Sequence, residues 1–187
     1  NNNDIAEPTI TGIYFTNASN SEFNNNNLIV NSNGGYAIEA TNADNSTTND
    51  NTIFINSIAI KMENCDNCLI SGNNITGPEV TLSNCCPNTT WIKVGPQEGI
   101  LCGYGSDNTT ISNNTMDVAS NGINAANANN MTIQYNHISH FWDTGINCSS
   151  SNSTTIEYNR LISGEYSSQG IVGNNLTIKN NYIEMWG

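Results

Sequence analysis

Basic side chains are nearly absent. Four Lys and Arg stand against 16 Asp and Glu in 187 residues, giving a net charge of −12 and a pI near 4.1. No surface of such a chain can neutralise a run of phosphates, which excludes nucleic acid and anionic membranes as partners. Long apolar runs are missing too: none approaches the roughly 20 residues that cross a bilayer, so membrane insertion is not expected. A cationic start leading into an apolar stretch, the mark of a secretion signal, is also absent from the sequence.

What is abundant is Asn, with 38 copies, joined by 37 Ser and Thr. That composition would specify a disordered chain if Ile, Leu, Val, Phe and Met did not interrupt it at regular intervals. At 20.2 kDa the chain has the length of one domain, 1–187, able to build one hydrophobic core.

The interruptions are periodic. Aligning EFNNNNL, TIFINSI, LISGNNI, TISNNTM, TIQYNHI, TIEYNRL and TIKNNYI places Phe23, Ile53, Ile70, Ile111, Ile133, Ile156 and Ile178 in one column. Asn follows three residues later, at Asn26, Asn56, Asn73, Asn114, Asn136, Asn159 and Asn181, and an apolar residue two beyond that, from Leu28 to Ile183. The steps between the first positions are 30, 17, 41, 22, 23 and 22 residues. This reads as a base period of 22 to 23 with an insertion in the third-to-fourth step.

A second rung precedes each of these. Ile13, Ile38, Ile60, Ile100, Ile123, Ile146 and Ile171 each follow a Gly or Ala, and two residues later come Phe15, Ala40, Met62, Cys102, Ala125, Cys148 and Gly173. Alternation over i and i+2 is a strand signal with both positions facing inward. The Ile of the first column and the apolar residue five later differ in parity, so the chain must bend at the Asn between them, a residue that tolerates the left-handed region. Stacked from coil to coil, the Asn side chains would form a hydrogen-bonded ladder. Two or three short strands per period, separated by corners, make an all-β parallel solenoid of about seven coils.

The GI-x₈₋₉-TI-x-x-N-x-I repeats resemble the right-handed parallel β-helix repeats of the pectate-lyase-like superfamily, nearest to its NosD-type and sugar-associated surface repeat proteins. The resemblance covers about residues 10 to 186. It implies fold and leaves activity open, because the repeated residues are the scaffold.

Cys102 and Cys148 share the inward rung two coils apart, about 9 to 10 Å, too far for a disulfide, and read as buried thiols. Cys65, Cys68, Cys85 and Cys86 lie before or within the insertion, about 77–98, which carries Pro78, Pro87, Trp91 and Pro96. Disulfides between the Cys65/Cys68 pair and the Cys85/Cys86 pair would fasten it; the alternative is a four-thiolate zinc site, for which adjacent Cys85 and Cys86 have awkward geometry.

Enzymes on the resembled fold carry sets of residues that are missing here. Pectate lyases use clustered Asp and an Arg base, whereas this chain has Arg160 alone and no Asp-Asp pair; the Asp and Gly-His-Gly segments of polygalacturonases are absent as well. Glu157, Glu165 and Asp143 are the nearest carboxylate candidates, and no two share a rung. Catalytic residues are therefore none, and no metal or other cofactor is expected. His137 falls after the Asn, facing solvent, while His140 falls at a rung where Val30, Val118 and Met185 stand. A metal site joining His137, His140 and Asp143 is a third reading. Asp44 and Asp50 match no calcium loop.

Ten Asn-x-Ser/Thr sequons occur, at Asn17, Asn45, Asn74, Asn88, Asn108, Asn113, Asn130, Asn147, Asn152 and Asn175. With six Cys they point to an extracellular, cell-surface location and N-linked glycans. Neither end shows a cap, which suggests head-to-tail stacking of identical copies. The leading expectation is a non-catalytic extracellular structural protein forming a surface filament, fibre or sheath. The alternative is a carbohydrate-binding or polysaccharide-cleaving module that grips sugars with Tyr135, Tyr158 and Trp91.

Overall fold

A computed structural model describes residues 3–6, 11–31, 34–78, 80–83, 90–93, 95–164 and 168–186. Within these, three parallel sheets run the length of a solenoid, and no helix occurs. Each coil passes through sheet B, sheet C and sheet A in turn. In the fifth coil these strands are Asn121–Asn124, Thr132–Gln134 and His137–Phe141. Sheets B and C have seven strands each, and sheet A has eight because Asp4–Ala6 precedes the first coil.

The inward rows follow the expected periodicity. Ile38, Ile60, Ile100, Ile123 and Ile146 pair one to the next in sheet B and are all fully buried. Ile70, Ile111, Ile133 and Ile156 do the same in sheet C. Fully burying one such side chain contributes about 1.5–3 kcal/mol, so the stacked rows supply most of the driving force for coiling. Gly precedes Ile in the later coils because this position meets the neighbouring backbone. A Cβ on Gly122 would stand 2.5 Å from both Gly145 O and Ile138 Cγ2.

One segment of the repeat is displaced from its expected register. In the second coil the column is filled by Thr48, Asn51 and Ile53, which pair with Ile70, Asn73 and Ile75, and not by Ile53, Asn56 and Ile58. The uneven steps of 30 and 17 thereby become 25 and 22. Thr48 hides the register because a polar residue takes the hydrophobe's place; its Oγ1 is buried without a hydrogen-bond partner.

The Asn ladder forms, with one difference in detail. The left-handed residue at the corner between sheets C and A is the one before the ladder Asn: Asn25, Asp50, Gly72, Asn113, Tyr135, Tyr158 and Asn180, with φ between 52° and 68°. The ladder Asn itself is buried. Asn114 Nδ2 donates to Asn136 Oδ1 at 2.9 Å and to Ile70 O at 3.0 Å. Its Oδ1 accepts from the N–H and Nδ2 of Asn73 at 3.0 and 2.9 Å. Every polar atom of the amide is satisfied, which is what makes a buried Asn tolerable.

The insertion carries an antiparallel hairpin, Val80–Ser83 with Thr90–Lys93, between the third coil's sheet A strand and the fourth coil's sheet B strand. The expected fastening of that insertion by disulfides is corrected. Cys65 and Cys68 are free thiols, buried on the opposite corner between sheets B and C with their side chains turned into the core. Cys85 and Cys86 lie outside the described residues. Cys102 and Cys148 are buried and free, as their rung positions required.

Candidate functional site

The solvent face of sheet A in coils four to seven gathers most of the chemistry-bearing side chains. It begins at the left-handed corner, where Asn, Asp or Gly stands in five coils but Tyr135 and Tyr158 stand in the fifth and sixth. Tyr in this region is costly because its Cβ crowds the following carbonyl, at roughly 1–2 kcal/mol per residue. The two rings stack with centroids 5.1 Å apart and planes 6° from parallel, and remain 52% and 47% exposed. A flat, doubled aromatic surface facing water is thus held at a position where Asn would fit with less strain.

Two residues along, the row Thr115, His137, Arg160, Tyr182 faces out. Arg160 Nη1 donates to His137 Nε2 at 2.7 Å and its guanidinium lies over the Tyr182 ring, 5.4 Å from the centroid. His137 must be neutral at Nε2 to accept that bond. Partial burial and then the Arg160 charge hold its pKa below the usual histidine value. Tyr182 OH donates to Glu184 Oε2 at 2.9 Å, which pushes the phenol pKa up.

His140 explains its own anomaly. The strand His137–Phe141 is irregular between Ser139 and Phe141: Ser139 pairs with Ile162 and Phe141 with Ser163, leaving His140 as an extra residue at φ 58°. The bulge turns His140 to solvent and lets Phe141, fully buried, take the core rung that the sequence assigned to His140. His140 Nδ1 then lies 2.6 Å from Asp117 Oδ1, and Ser139 Oγ donates to the same oxygen at 3.4 Å.

The remaining candidates disperse. Glu157 faces out from sheet C between Gln134 and Lys179, with no carboxylate above or below it. Asp143 is exposed near Thr144, and Glu165 lies outside the described residues. Trp91 is on the insertion hairpin, and its side chain is outside the described part of the structure. Asp44 and Asp50 sit on different corners. Among the described residues no group of three or more His, Cys, Asp or Glu is placed to hold a metal ion. Asn17, Asn45, Asn74, Asn108, Asn113, Asn130, Asn152 and Asn175 are exposed, Asn147 is half-buried, and Asn88 is outside the described residues.

Sequence reasoning missed a second ladder. On the corner between sheets B and C, Asp44 Oδ1 accepts the N–H of Asp66 at 2.9 Å, Asp66 Oδ1 that of Asp107 at 2.8 Å, and Asp107 Oδ1 that of Asn129 at 2.7 Å. The signal was present as the repeated Asp-Asn of DNS, DNC and DNT. It was hidden because the alignment was anchored on the other corner.

Residues 93–185 match a family described as "Right handed beta helix region". That match and the parallel solenoid of the described residues agree with the resemblance of the repeats. No curated protein matches the sequence. Among solved structures, the chain is similar to DFA-IIIase from Arthrobacter chlorophenolicus A6 in complex with GF2, with a TM-score of 0.58 and 13% identity, over 95% of this chain and 48% of that one. The chain therefore spans about half the length of that enzyme, and the likeness is one of fold. It corrects the expectation that the chain is not an enzyme, because a fold similar over 95% of this chain makes up about half of one.

Proposed function

We propose that this chain is the β-helix body of a carbohydrate-active protein and that it holds a saccharide against the corner formed by Tyr135 and Tyr158. The observation that carries this reading is the parallel exposed stack of the two rings at backbone positions that disfavour Tyr. Such strain persists where the surroundings fix it, and it clusters at ligand sites. Aromatic faces give sugar rings an apolar surface on which their C–H groups rest, while nearby polar groups set orientation. Two residues further along from the Tyr corner, His137 and Arg160 on the outward row of sheet A carry donors and acceptors for sugar hydroxyls. The fold's occurrence in an enzyme solved with GF2 supports the same class of ligand.

Affinity electrophoresis through gels containing inulin, xylan, pectin or mannan tests the proposal. Retardation by at least one polysaccharide, lost in Tyr135→Asn/Tyr158→Asn, is expected. Equal mobility of wild type and double variant in every gel overturns it. Product analysis of the retarding polysaccharide by thin-layer chromatography then separates binding from cleavage.

A further inference from the structure

Cys65 and Cys68 flank a tight turn made by Asp66 and Asn67, with Asn67 at φ 57°. A β-turn brings its first and last Cα atoms within about 7 Å, the separation a disulfide spans. Both side chains point into the same corner of the core, 0% and 2% exposed. Neighbouring coils hold Ala43 and Ser46, or Ser106 and Thr109, at these two places, all of them small and buried. The backbone around the pair is fixed from the next coil: Ser106 Oγ accepts the N–H of Cys65 and Thr109 Oγ1 that of Cys68, each at 3.2 Å. Cys65 Sγ donates to Glu63 O at 3.2 Å and Cys68 Sγ to Ala43 O at 3.4 Å.

We propose that Cys65 and Cys68 form a disulfide with each other across this turn, using an oxidised low-molecular-weight disulfide as electron acceptor. The inference is independent of the saccharide reading. The Cys65 thiolate attacks one sulfur of the acceptor, whose S–S bond breaks and releases a thiolate that takes up a proton. Cys68, deprotonated, then attacks Cys65 Sγ and displaces the second acceptor thiol. Two protein thiols and one acceptor disulfide become one protein disulfide and two acceptor thiols, so protons and electrons balance. Burial places the exchange in the chain before the corner closes, and it shields the finished bond from reductant afterwards.

Cys102 and Cys148 behave differently. Burial raises both thiols to about 12, and each stands on a flat strand with no cysteine in the adjoining coil of its own row. Both should remain thiols under the conditions that oxidise the pair.

The experiment is refolding of the full chain in oxidised and reduced glutathione, followed by denaturation, alkylation with iodoacetamide and peptide mapping. The expected product has one peptide carrying an internal Cys65–Cys68 bond, about 2 Da lighter than its reduced form, with Cys102 and Cys148 alkylated. Full alkylation of Cys65 and Cys68, or a bond from either one to Cys85, Cys86 or Cys102, overturns the proposal. Cys102→Ser and Cys148→Ser serve as second variants and should leave the mapped bond unchanged.

Discussion

His140 Nδ1 lies 2.6 Å from Asp117 Oδ1, tying a bulged residue of one coil to the regular strand of the coil before it. The pair is exposed, and solvent screens it to roughly 0–1 kcal/mol. Its removal by His140→Gly also relieves a left-handed backbone, so stability should change by less than about 1 kcal/mol. Deleting His140 restores strict alternation and leaves Phe141 two residues after Ile138, still facing inward, so this loss should also be small. Urea denaturation of the two variants checks both, and a loss of about 3–5 kcal/mol on deletion, the size of losing a Phe from a core, would refute His140 as the extra residue beside Phe141.

Asn114 sits mid-ladder with all its amide atoms bonded. Asn114→Ala leaves the N–H and Nδ2 of Asn73 without their acceptor, which should cost about 2–4 kcal/mol. Asn114→Asp should cost more above pH 5, because a carboxylate would face the oxygens of Asn136 and Ile70 with no hydrogen to give. Denaturation midpoints at pH 4 and pH 7 read the difference, which should narrow at the lower pH.

Tyr135→Asn and Tyr158→Asn exchange a ring–ring contact worth about 0.5–1.5 kcal/mol for relief of a similar left-handed strain. Thermal midpoints should therefore stay within a few degrees of wild type while saccharide retention disappears. A large fall in the midpoint would show the stack to be a structural feature.

Burial raises Cys102 and Cys148 from 9.0 to about 12. Between these values the unfolded thiols lose protons that the folded ones keep, so stability falls as pH rises above about 9. Cys102→Ala should flatten that decline between pH 8 and 10 in denaturant titrations. His137 gives the opposite slope at acid pH. Its folded pKa is lowered, so as pH falls through 6.5 the unfolded state binds a proton the folded state resists, and stability drops. His137→Asn should remove this part of the acid slope.

The periodic columns were legible because a solenoid repeats one environment in every coil, so Ile70, Ile111, Ile133 and Ile156 write the same local problem four times. The sequence alone thus determined a coil of two or three short strands, the inward rows, the Asn ladder and the outward setting of His137. It placed Tyr135 and Tyr158 one coil apart. Tertiary structure alone decided matters in which one coil answers to another. Thr48 could be recognised as a core position only from its pairing with Phe23 and Ile70. His140 was known as an inserted residue only once Phe141 filled the rung beside it, since a bulge changes inward-facing parity without leaving a composition signal. The same holds for Cys65 and Cys68: spacing placed them near the insertion, but the turn that aims both thiols into the core is fixed by hydrogen bonds that their N–H groups donate to Ser106 and Thr109, 41 residues further along the chain.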